Sequence, residues 1–151
     1  MTLAAVVAVL LVAPGGGREA PPVPLAFPEF FDPSPQGLEP SVRLRGLAGK
    51  RVRLIGYMAR MELPPKGGFY LCPSPVLVTE AGGGTADLPP DAVLVVARSA
   101  KGKELAHIQR VLEVTGVLEL GPQVDEDGRV SRIRIVLEGP ANARRHPFQL
   151  R

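Results

Sequence analysis

The chain has little of what most catalytic and metal sites are made from. In 151 residues it carries one cysteine (Cys72), two histidines (His107 and His146) and no tryptophan. A single thiol excludes an intramolecular disulfide and any zinc site built from several thiolates. Cys72 has no CxxC partner and no basic neighbour in sequence to lower its pKa. It reads as a small half-buried hydrophobe rather than a reactive thiol. Nothing resembles a nucleophile elbow, and His107 and His146 read as surface residues rather than triad members. The expectation is no enzyme, no metal and no cofactor. Five Phe and two Tyr are few for base-stacking platforms, and a net charge of +3 lacks the clustered positive charge of a dedicated nucleic-acid binder.

Long hydrophobic runs are scarce as well. Leu3 to Ala13 is unbroken and apolar. It is too short for a membrane-spanning helix of roughly 20 residues but suits a signal-peptide core of about 7 to 15. No Lys or Arg precedes it, and Gly15–Gly17 is the small-residue stretch where cleavage would fall. Residues 1–17 are therefore expected to be a signal peptide or an uncleaved N-terminal hydrophobic segment, with the alternative of a short buried helix. No cysteine follows, so a lipoprotein anchor is excluded. The protein is expected to be exported, to the periplasm or cell envelope, with membrane association through this segment if it is kept.

What is abundant is punctuation. Glycine and proline number 17 each, together about twice the usual share. Such a load suits short strands and turns, not a helical bundle. Residues 18–40 form a Pro-rich arm holding Pro21, Pro22, Pro24, Pro28, Pro33, Pro35 and Pro40, where regular helix or sheet is not expected. Leu25, Phe27, Phe30 and Phe31 interleave with these prolines, so the arm is expected to pack on its own domain, a partner being the alternative. A single domain of 41–139 follows, then a basic tail of 140–151.

Within that domain Gln109 to Leu137 is the firmest reading. Leu112, Val114, Gly116, Leu118 and Leu120 share one face of a strand, and Ile133, Ile135 and Leu137 share one face of the next. Asp125-Glu126-Asp127-Gly128 supplies the turn, which lacks the spaced oxygen ligands of a calcium loop. Earlier, Val52 and Leu54 oppose Arg51 and Arg53, and a change of phase at Ile55-Gly56 predicts a bulge or sharp bend. Phe69 to Cys72 makes a second strand, with Val76 to Thr79 as its extension. Residues 81–90 form a loop whose Gly82–Gly84 lacks the Lys-Ser/Thr of a phosphate cradle. Asp91 to Ala97 has the unbroken apolar run of a strand buried on both faces. Ser99 to Arg110 is expected to be a short helix with Leu105, Ala106 and Ile108 inward.

The fold class expected is all-β with one short helix, a small five-stranded OB-like Greek-key barrel with the helix between strands three and four. The segments LAGKRVRLIGYMARM, GGFYLCPSPV, DLPPDAVLVVA and VLEVTGVLELG, between about Pro40 and Gly139, resemble an uncharacterised family of exported bacterial proteins with OB-like domains. That resemblance implies no activity. By analogy with the fold, a ligand face would take in Arg60, Lys66, Phe69, Tyr70, Arg98 and the 121–128 turn, with Arg51, Arg53, Arg132 and Arg134 on an outer face. The function expected is an exported, non-enzymatic binding module for an unknown ligand, a cell-envelope protein or component. The alternative is an intracellular single-stranded nucleic-acid binder, against which the apolar N-terminus and sparse aromatics argue.

Overall fold

The computed structural model describes residues 20–138 and the short strand at 144–145. The N-terminal hydrophobic segment and most of the basic tail lie outside the described residues.

The Pro-rich arm is not irregular. Val23–Leu25 forms strand β1, and Phe31–Ser34 (β2) pairs with Gly37–Pro40 (β3) in a small hairpin. Proline forbids ladder bonds only at its own nitrogen, so it is tolerated at sheet edges. β1 runs parallel to the first half of β4 (Arg51–Met58), with Val23 opposite Val52 and Leu25 opposite Leu54. Leu25, Phe27 and Phe30 enter the same core as the strands that follow, with the Phe27 and Phe30 rings tilted at 33° and their centres 5.2 Å apart. The arm packs on its own domain.

The helix α1, Val42–Gly46, begins at Ser41. The Ser41 hydroxyl accepts the N–H of Leu44 at 3.0 Å and donates to Glu29 O at 2.6 Å. One side chain thus satisfies a helix N-terminus and ties it to the arm.

β4 alternates without a break. Val52, Leu54, Gly56 and Met58 all face inward, and its register with β9 (Val111–Val124) is continuous from Arg51–Val117 to Tyr57–Val111. The bulge expected at Ile55-Gly56 is not formed. Gly56 stands in phase because a Cβ there would lie 2.6 Å from Cys72 O and 2.9 Å from the Phe27 ring. The glycine records a close approach, not a bend.

Arg60–Met61 (β5) pairs in parallel with Leu77–Val78 (β7), the segment expected to extend the second strand. Gly68–Cys72 (β6) pairs with the end of β4 and with Val93–Val96 (β8). β8 runs parallel to Val130–Leu137 (β10), which pairs with β9, and β9 returns to β4. The pairings pass through five strands and come back to the first. Arg144–Arg145 (β11) adds to the free end of β9.

Among the described residues the fold is all-β with one short helix, as the sequence indicated, but the helix is α1 rather than the 99–110 segment. There, only Arg98–Ala100 forms a single 3-10 turn. Gly102 takes φ +74°, which ends the turn, and 103–110 forms neither helix nor strand, with Leu105 and Ile108 against the core. From this segment His107 reaches back so that its Nε2 lies 3.1 Å from Met58 O.

The hairpin is as read. Gly128 sits at φ +77° and donates to Asp125 O, while the Asp125 carboxylate accepts the N–H groups of Asp127 and Arg129 at 3.0 and 2.8 Å. Asx-type bonds of this kind fix a turn without tertiary help.

Candidate functional site

Strand alternation sends Phe69 and Leu71 of β6, with Val93 and Val95 of β8, into the main core. Tyr70, Cys72 and Leu94 point the other way, yet they are buried too. The connection between β6 and β8 folds back over them, placing Val76, Leu88 and Ala92 on this outer patch. The half of the sheet face that analogy would offer to a ligand is therefore covered by the protein itself. Burial pushes the Cys72 thiol up to about 12, with Asp91 adding to the effect. A proton held so tightly leaves no nucleophile at neutral pH. Burial raises the Tyr70 phenol, and the nearby Asp125 charge raises it further against Arg129. The Asp91 carboxyl is likewise raised by burial.

Beyond that cover the face is open. Two adjoining cavities, of about 530 and about 290 Å³, share Val96, Arg98, Gln123, Val124 and Asp125. Together they make a groove between the end of β8 and the tip of the β9–β10 hairpin. Lys66, Arg98 and Lys101 stand on one wall, and Asp125, Glu126 and Asp127 on the other. Leu94, Val96 and Val136 supply an apolar floor. Lys101 and Glu126 face each other across the mouth at 3.6 Å, both largely in water, so the pair adds little energy.

Arg134 lies at the inner end. It alternates outward on β10, yet only 7% of it is exposed. Its Nη1 donates to Gly121 O at 2.9 Å, Ser131 O at 3.0 Å and Ser131 Oγ at 3.2 Å, and its Nε to Glu119 at 3.3 Å. The irregularity in register between Ser131 and Ile133 turns the Ser131 carbonyl onto this guanidinium. Buried charges persist where hydrogen bonds of this kind surround them. At the hairpin tip Arg129 Nη2 donates to Leu63 O at 2.9 Å, and its Nη1 is sealed from solvent with no acceptor among the described residues.

The residues proposed from sequence divide accordingly. Lys66 and Arg98 come together with the 121–128 turn in the groove. Tyr70 lines a separate hollow of about 310 Å³ with Leu88 and Arg132. Arg60 borders another, mainly apolar, with Tyr57, Leu77 and His107. Phe69 is a core residue and presents nothing to a ligand. Of the outer-face arginines, Arg51 pairs with Glu138 at 2.8 Å and Arg53 with Glu113 at 3.7 Å. Arg134, read only as one of these, belongs to the groove. Its burial goes with the register shift and with the Gly121 and Ser131 carbonyls that meet its guanidinium beside that shift, neither of which strand alternation carries.

No protein-family model matches the chain, and no curated protein matches it. Among solved structures it is similar to a DUF3299 family protein from Pseudomonas aeruginosa PAO1. The two are 14% identical, with a TM-score of 0.48 over 80% of this chain and 95% of that one.

Proposed function

We propose that the protein is a non-enzymatic, OB-like binding module, exported to the cell envelope, whose ligand surface is the groove between β8 and the β9–β10 hairpin. The observation that carries the reading is the order of pairing. Taking β4, β6, β8, β9 and β10 as strands one to five, neighbours run one, two, three, five, four and back to one, with three and five parallel. That is the arrangement an OB-like barrel requires, and such barrels bind across strands two and three beside the loop joining four and five. The groove occupies the uncovered part of that face. The module would hold a cell-envelope protein or component.

The apolar Leu3–Ala13 run supports export. The test is the N-terminal sequence of the protein recovered from fractions of its host, followed by capture of partners on Arg98→Glu and Lys66→Glu variants. A chain beginning near Gly17 in the envelope fraction, with partner capture lost in the variants, is the expected result. An intact Met1 in the soluble cytoplasm overturns export and makes salt-dependent binding of single strands the reading to pursue.

A further inference from the structure

Arg134 is over-provided with donors for the acceptors around it. A guanidinium carries five N–H groups. Here Nε and Nη1 serve four oxygens on Glu119, Gly121 and Ser131, while Nη2 donates to no acceptor among the described residues. Nη2 is also not among the sealed, unpartnered polar atoms, so it is reached from outside. The route in is the cavity of about 290 Å³ that Arg134 lines together with Arg98. Arg98 is exposed, its carbonyl accepts the Lys101 N–H, and its side chain makes no hydrogen bond or ion pair among the described residues.

We propose that the inner end of the groove is a carboxylate-binding subsite in which Arg134 Nη2 and the Arg98 guanidinium take the two oxygens of a ligand carboxyl group. The proposal rests on the groove being the ligand surface and adds the chemical class of what it holds. Unspent donors, rather than net charge, favour the anion. The cavity's two arginines are balanced by Glu119 and Asp125, but both carboxylates are already engaged. Glu119 faces Nε, and Asp125 Oδ1 takes two backbone N–H groups of its own turn. A planar carboxylate matches donors on planar guanidinium edges better than a compact ammonium or a neutral group does. Arg134 is held by its other bonds, so little side-chain entropy is lost when a ligand arrives. Leu94, Val96 and Val136 on the floor suit a ligand whose carboxyl group is carried on a short apolar stem. The Glu119 and Asp125 charges keep a bare carboxylate weak, with affinity in the millimolar range.

The test is a titration of the isotope-labelled protein with sodium acetate at constant ionic strength, with chloride and inorganic phosphate as comparators, read on the Arg134 side-chain N–H signals and the Ser131 and Gly121 amides. Saturable shifts with acetate, absent with chloride and weakened about threefold or more in Arg98→Gln, are expected for one charge-assisted bond removed. Arg98 is exposed, so this variant keeps the fold, and Arg134→Lys tests the fork itself. Linear shifts equal in acetate and chloride overturn the proposal. So does tighter binding of phosphate, or an Arg98→Gln variant that binds acetate unchanged. Loss of partner capture in the Lys66 and Arg98 charge reversals without saturable acetate binding would leave the groove standing and remove the carboxylate. Saturable acetate binding with partner capture intact in those reversals would do the opposite.

Discussion

At the scale of single residues, the structure turns on close approaches that leave no room for a side chain. Gly56→Ala is expected to cost about 1–3 kcal/mol in chemical denaturation, because its methyl group meets the Cys72 carbonyl and the Phe27 ring inside a packed core. Gly46 has nothing within 4 Å and an ordinary φ. Gly46→Ala should leave stability unchanged or raise it by up to about 1 kcal/mol. Equal losses in the two would contradict the packing argument. Cys72 offers a second test. A thiol held near 12 in the folded state, against an ordinary value of about 8.5 in the unfolded chain, has roughly a thousandfold less thiolate at mildly alkaline pH. Iodoacetamide should label native protein that much more slowly than protein in denaturant. The sign follows for stability: the folded state holds the proton longer, so this contribution is intact below about pH 8.5 and is lost as the pH rises through about 12. Cys72→Ala should lessen the alkaline loss.

At the scale of elements, the arm and α1 carry more than their composition suggests. Phe30 is fully buried, and Phe30→Ala should destabilise the whole protein by about 3–5 kcal/mol rather than merely release the arm. Ser41→Ala removes a cap and the tie to Glu29 together. A loss of about 1–2 kcal/mol is expected from thermal or chemical melts. The hairpin was legible in the sequence because its strands, Asx turn and positive-φ glycine are all local. The 99–110 segment was not. Its apolar spacing fits a helix, but Gly102 at φ +74° breaks the turn and the reach of His107 to Met58 holds the chain in an irregular path.

For the whole molecule, β1 completes the free half of a β4 edge, since β6 reaches only Tyr57 and Met58. The amide protons of β1 should therefore exchange with those of β4 in one cooperative unit. Exchange of β1 far ahead of β4, measured by mass spectrometry under native conditions, would show the arm to be an appendage. The candidate site belongs to this scale as well. Lys66, Arg98 and the 121–128 turn were identifiable as polar residues near strand ends, and the fold analogy placed them on one face. Phe69 and Tyr70 looked equally available from their letters, and the fold buries one in the core and covers the other.

The sequence by itself determined the elements whose causes are local: the alternating strands β9 and β10 and the first half of β4, the turn at 125–128, and the all-β character that so much glycine and proline suits. Only the tertiary structure decided that a proline-rich arm would supply an edge strand and three core side chains, and that Gly56 marks contact rather than a bend. It alone placed Arg134, outward by alternation, at the buried end of the groove. The reason is physical. Periodicity reports which face of a strand is apolar, whereas what covers that face, and which donors are left unpaired on it, depends on segments far away in the chain.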